Sequence, residues 1–184
     1  AITVVAVNDA PVNAMPGNQS VDEDALVSFS LSTSDVDIAE SSKAPFVSLD
    51  VSTGTLTLGA TTGLSFVSGS NGSGAMEFQG ATSAVNAAMA TVTYDSPDNF
   101  NSSVGGPVTM TMVTRDDGGT GVGGELNDTD TITITVNPLN DAPVLTIAGD
   151  QTIDEDTDLV FPGSISVADL DADPNPIQVQ LVTG

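Results

Sequence analysis

Two stretches of this chain carry carboxylates and amides at matched spacing. Asn8-Asp9-Ala10-Pro11-Val12 recurs as Asn140-Asp141-Ala142-Pro143-Val144, and each copy leads into an acidic triplet, Asp22-Glu23-Asp24 and Asp154-Glu155-Asp156. An Asp-x-Asp pair follows in both, Asp35-Val36-Asp37 and Asp169-Leu170-Asp171. Such side chains are hard oxygen ligands. Ca2+ takes about six to eight oxygens at roughly 2.3–2.6 Å and tolerates irregular geometry, which suits ligands delivered by loops; Mg2+ demands a tighter octahedron and fits less well. The chain has no His and no Cys. Thiolate and imidazole metal sites are thereby excluded, and no imidazole base is present for a Ser or Cys nucleophile.

The charge balance points the same way. Of 184 residues, 25 are acidic and only Lys43 and Arg115 are basic, for a net charge of -23. A chain so acidic repels phosphates, which argues against nucleic acid and anionic membranes as partners. Most of the acids are Asp, a residue of turns rather than strands, so the charge belongs on loops. Solubility alone, as in salt-adapted proteins, is one reading of this charge. Divalent-cation binding is the other, and position within the repeat decides between them.

The repeat is long. Shifted by 132, residues 2–29 fall on 134–161 with half of the positions identical, including Ile2-Thr3-Val4 on Ile134-Thr135-Val136, Gln19 on Gln151 and Phe29 on Phe161. The offset then grows to 134, which sets Asp35 and Asp37 on Asp169 and Asp171. A unit of this length is a whole domain rather than a solenoid turn. Residues 1–7 are read as the last strand of a preceding repeat, 8–139 as one complete repeat, and 140–184 as the first part of the next. Leu181-Val182-Thr183-Gly184 resembles Val51-Ser52-Thr53-Gly54, which lies mid-repeat, so a fragment of a longer array is expected, with completion by neighbouring chains as the alternative.

Strand signals fill the complete repeat. Period-two alternation bounded by Gly, Asn and Asp predicts strands near 19–21, 25–31, 45–51, 54–59, 64–67, 74–79, 90–94, 107–114 and 130–136. The Ala-rich stretch 81–90 breaks that pattern, with Val85, Ala88 and Met89 at helical spacing, and predicts one short helix. The expectation is an all-β Greek-key sandwich with one short helix. Its strand directions bring distant acids together. Asn8, Asp9, Asp35, Asp37 and Asp116 or Asp117 should meet at the N-terminal end of the repeat. Glu23 and Asp95 should meet the linker residues Asn140 and Asp141, with Asp169 and Asp171 from the next repeat. Crowded carboxylates repel unless a cation neutralises them. The alternative is that they are solvated Asx-turn residues. Because most of the preceding repeat is missing from the first junction, the second is expected to be the better formed.

At these residues the chain resembles a known family. The Asn-Asp-Ala-Pro linker, the Glu ending the first strand, the Asp-x-Asp pair and Thr114-Arg115-Asp116-Asp117-Gly118 are similar to the calcium motifs of cadherin repeats. The closer resemblance is to bacterial cadherin-like tandem repeats of giant surface adhesins. It rests on Val21-Asp22-Glu23-Asp24, Gly54-Thr55-Leu56-Thr57-Leu58, Asn86-Ala87-Ala88 before Val92-Thr93-Tyr94, and the closing Thr133-Ile134-Thr135-Val136-Asn137. The resemblance implies a cadherin/Ig-like fold, calcium between repeats, and a structural or adhesive role at a bacterial cell surface.

Three functions compete for these residues. The favoured one is a calcium-rigidified extender module of a secreted or surface adhesin, with adjacent repeats as its partners. The alternative is a recognition module for a glycan or protein, or one that self-associates in a filament, sheath or surface layer. Sugar sites favour aromatic platforms, and the chain has no Trp and one Tyr. An enzyme is disfavoured: carboxylate pairs alone could cleave a glycoside, but these acids gather at junctions rather than in a cleft. The run Asp169-Leu170-Asp171-Ala172-Asp173 is no EF-hand, since Pro174 stands where Gly is needed and Gln180 where Glu is needed. Sequons at Asn18, Asn71, Asn101 and Asn127 are weak signals in so Asn- and Ser-rich a chain, and residues 69–74 read as a hairpin turn.

Overall fold

Strict alternation makes the longest strand of the molecule. In Asn127–Asn137, Ile132, Ile134 and Val136 are buried while the threonines between them are not. The computed structural model describes residues 1–39, 43–118, 121–147, 149–150, 152–160, 165–172, 175–180 and 182. They form two compact units, residues 1–138 and 139–184.

The first unit runs β1 (Val12–Ala14), β2 (Gln19–Asp22), β3 (Leu26–Phe29), β4 (Ser32–Ser34), α1 (Val36–Ala39), β5 (Phe46–Val51), β6 (Thr55–Leu58) and β7 (Leu64–Gly69). It continues with β8 (Ala75–Gly80), α2 (Thr82–Met89), β9 (Val92–Asp95), α3 (Ser102–Gly105), β10 (Val108–Arg115) and β11 (Asn127–Asn137). One sheet has the order β2-β11-β10-β5-β8-β7, the other β3-β9-β6, and β1 pairs with β4 apart from both. The chain passes from the larger sheet to the smaller after β2, β5 and β8 and returns after β4, β6 and β9, which is a Greek-key path and not an up-and-down one. The first unit is thus an all-β sandwich of the Ig-like kind.

Both sheets feed one core. Val47, Leu49, Met110, Met112 and Ile134 come from the larger sheet, and Leu56, Val92 and Tyr94 from the smaller. Each such buried side chain contributes about 1.5–3 kcal/mol relative to exposure. The chain contains no cysteine, so this packing acts without disulfides. The expected helix is α2, and its Val85, Ala88 and Met89 enter the same core at the spacing that marked them.

Some elements differ from the alternation pattern. The expected strand 25–31 is shorter and is followed by a separate β4. Leu31 is buried between them, and its N–H donates to the Met89 carbonyl at 2.9 Å. That break moves the chain from β9 to a new partner, β1. At three residues each, β1 and β4 are too short to show a period. The single turns α1 and α3 were not foreseen. Residues 1–5 form no strand here: Ile2 and Val4 alternate suitably but stand exposed, because a strand exists only against a ladder partner.

In the second unit, β12 (Val144–Thr146) pairs with β13 (Ser166–Ala168). Val144 faces Ala168 as Val12 faces Ser34, so the pairing repeats with the sequence offsets of 132 and 134. Asp24 and Asp156 share a left-handed backbone, with φ 59 and 61. Gln151, Phe161, Asp173, Pro174, Leu181, Thr183 and Gly184 lie outside the described residues, and with them part of the repeat comparison and of the EF-hand motif.

Candidate metal centre

Three chain segments build one end of the first unit. The first is the approach to β1. Val7 bridges Val122, and the Asn8 N–H donates to the Val122 carbonyl at 3.2 Å. The approach is close enough that a Cβ on Gly121, at φ +127, would lie 2.8 Å from the Asn8 nitrogen, so this position needs glycine. The second segment is the turn after β4, which carries Asp35 and Asp37. The third is the end of β10, where Asp116 follows Arg115.

These segments bring the predicted residues together. Asn8 Nδ2 donates to Asp116 Oδ2 at 2.6 Å and to the Gly124 carbonyl at 2.8 Å. The Asp9 N–H donates to Asp37 Oδ2 at 2.6 Å. Asp35 Oδ1 accepts from the N–H groups of Asp37 and Ile38 at 2.8 and 3.0 Å, an Asx turn that starts α1. Asp116 Oδ1 accepts from Gly118 N–H and Leu126 N–H at 2.8 and 2.9 Å. Of the two acids at the end of β10, Asp116 enters the cluster. Asp117 instead pairs with Lys43 at 3.2 Å.

Burial decides what this arrangement can do. Asp116 is 0 %, Asn8 5 % and Asp37 8 % exposed. Two acceptors fix the Asn8 amide, so its Oδ1 is turned away from both. That oxygen is buried without a hydrogen-bond partner, and so is Asp35 Oδ2. A buried acceptor left unpaired costs roughly 1–3 kcal/mol. Oxygens held in that state at the rim of an acidic cluster are what a hard cation would use. The ligand set is mixed, however: among the described residues no group of three or more carboxylates is arranged to hold a metal ion. Backbone amides and Asn8 occupy much of the carboxylate surface.

The second unit repeats part of this geometry. The Asp141 N–H donates to Asp171 Oδ2, as Asp9 does to Asp37, and the Asp171 N–H donates to Asp169 Oδ1 at 3.0 Å, as Asp37 does to Asp35. Asn140 differs from Asn8: it is exposed, and its Nδ2 turns to the Asp141 carbonyl at 2.9 Å. The walls of the centre are therefore more complete in the first unit.

At the other end of the first unit, β2 runs parallel to β11 and sets Asp22 opposite Asn137. Glu23 is 2 % exposed and accepts from Asn101 Nδ2 at 3.1 Å. Asp95 ends β9, exposed, in register with Leu26 and Thr55.

Residues that the sequence pattern did not mark hold the centre in place. Thr33, on β4 just before Asp35, is clasped by Asn86 of α2: its N–H donates to Asn86 Oδ1 and its carbonyl accepts from Asn86 Nδ2, both at 2.9 Å. Asn13 of β1 receives a 2.6 Å hydrogen bond from Thr114 and donates through its backbone to Asp128 at 2.8 Å. The Gly-rich run before Glu125 was the available signal for the Asn8 contact.

No family model matches the chain, and no curated protein matches it. Among solved structures, it is similar to AggA, the major subunit of aggregative adherence fimbriae type I from Escherichia coli. The identity is 14%, the match covers 74% of this chain and 100% of that one, and the TM-score is 0.42.

Proposed function

We propose that the chain is part of a tandem-repeat rod that binds Ca2+ at the ends of its repeats: a structural extender module of a large bacterial surface adhesin, and not an enzyme. Residues 1–7, 8–139 and 140–184 are then the end of one repeat, a whole repeat and the start of another. One observation supports this most: Asn8 Oδ1 and Asp35 Oδ2 are buried without a partner, on residues hydrogen-bonded to Asp116 and Asp37 respectively. Asn8, Asp9, Asp35, Asp37 and Asp116 would hold a cation at the first centre. Glu23, Asp95, Asn140, Asp141, Asp169 and Asp171 are the further proposed ligands. A bound cation would stabilise the ordered loops by mass action, about 2.7 kcal/mol when calcium is a hundredfold above its Kd. Rod stiffness would then follow calcium.

The test is calorimetric titration of the whole chain with Ca2+, alongside Asp35→Asn and Asp169→Asn. Each variant is expected to lose part of the binding heat, and small-angle scattering is expected to become more extended with calcium than with chelator. Absence of binding heat at millimolar Ca2+, with scattering unchanged by chelation, would sink the reading.

A further inference from the structure

One long stretch of the sandwich carries no charge. No Asp, Glu, Lys or Arg occurs between Asp50 and Glu77, a stretch that contains β6 and β7. Both strands are the last of their sheets. The outer edge of β6 is covered. Leu56 N–H donates to the Ser73 carbonyl and Gly72 N–H to the Leu56 carbonyl, each at 3.0 Å, and Asn71 Oδ1 accepts from Leu58 N–H at 2.7 Å. β7 pairs only with β8 among the described strands, so its other backbone edge is open.

Open edges are normally blunted by charge, proline or a bulge. β7 has no charge and no proline. It has a bulge between Phe66 and Ser68, and Val67 at the bulge is 51% exposed. Ser65, Ser68 and Gly69 are exposed beside it. The nearest carboxylate on β8 is Glu77, in register with Ser68, and Arg115 engages it. The opposite edge of the same sheet, β2, ends in Asp22 and leads into Glu23 and Asp24.

We infer that β7 is a self-association edge, and that a second copy of this chain pairs with it antiparallel about a two-fold axis. Charge selects the partner. Two bodies of net charge -23 repel across any acidic face, and β7 is an edge strand that brings no like charge of its own to the contact. A two-fold contact places the same neutral strand on both sides, which is self-complementary. The bulge keeps the paired segment short, so a single contact is weak. Along a tandem array, a consequence that rests on the reading above, many such contacts would act together and zip neighbouring rods side by side.

The test is sedimentation velocity of the whole chain across a concentration series up to about 1 mM. It is run in chelator and about 0.5 M salt, so that neither calcium nor long-range repulsion decides the outcome. The parent is expected to dimerise with concentration. Ser65→Glu with Val67→Glu should weaken the dimer at least tenfold while melting at the parent temperature, and Ser65→Glu alone should weaken it less. Gln19→Glu with Ser20→Glu, on the opposite edge, should dimerise like the parent. A parent that stays monomeric throughout overturns the inference. So does a dimer that survives both β7 variants, or one lost equally in the β2 variant.

Discussion

The two Asp-x-Asp loops share a local design and differ in what surrounds them. In both, the first Asp accepts from the N–H of the second, and the second accepts from the N–H of the linker Asp. In both, a three-residue strand pair holds the loop in the same register. The first loop also meets a wall: Asp116 from β10, Asn8 turned onto it, and the 121–126 segment behind. Among the described residues of the second unit nothing corresponds to β10, and Asn140 is exposed. The loop is thus a local structure that forms without the sandwich, whereas the buried unpaired oxygens arise only where the sandwich is complete.

The strongest way to break this contrast is to remove the wall. Asp116→Ala leaves the Gly118 and Leu126 N–H groups without their acceptor and the Asn8 amide with the Gly124 carbonyl alone. Denaturant unfolding should show a loss of about 3–5 kcal/mol for the first unit. Hydrogen exchange at the Asp9 amide should approach that at Asp141, and the second unit should be unchanged. Equal protection of both amides in the parent would mean that the wall does not matter.

Alkaline pH separates the units next. Tyr94, the chain's one tyrosine, is fully buried in the first core, and its hydroxyl has no partner. Burial, and then the charge of Asp95, push its pKa from 10.0 up to about 12. The unfolded chain therefore ionises first as pH rises. Stability from the neutral phenol is intact below about pH 10 and is lost between 10 and about 12, on the order of 2 kcal/mol. The loss should fall on the first unit alone. Tyr94→Phe should remove that slope while changing stability at pH 7 by less than about 1 kcal/mol.

The smallest expected effect compares single acids. Asp37→Ala should cost about 1–2 kcal/mol, because Asp37 is buried and accepts a charge-assisted bond, and Asp171→Ala less than about 1 kcal/mol, because Asp171 is half-buried. Thermal melts of each unit, followed by exchange at the neighbouring amides, would show whether burial orders the two as expected.

Much of this was legible from order along the chain. Strand direction alone sent Asp35, Asp37 and one of Asp116 and Asp117 to the same end as Asn8 and Asp9. Alternation located the strands β5, β8, β10 and β11, and alanine spacing located α2. The choice between Asp116 and Asp117 was not legible. Asp117 has φ +53, which turns its side chain out to Lys43, and nothing in the residue types forecasts that turn. Asn86, Asn13 and Asp128 were missed as positioning groups for a related reason. Each clasps a segment far away in sequence, and a polar side chain on a strand or helix face carries no sign of its distant partner.

The sequence by itself determined the periodicity: which residues turn inward, where the chain turns, and that one acidic loop is a copy of another. These are local matters of steric preference and of side-chain direction along a strand. The tertiary structure alone decided which acids are buried, which Asn8 oxygen is left unpaired, and that a strand within the uncharged stretch after Asp50 has an edge open among the described strands. Those depend on three-dimensional neighbours, because desolvation and hydrogen-bond saturation are set by everything that packs around an atom and not by its place in the chain.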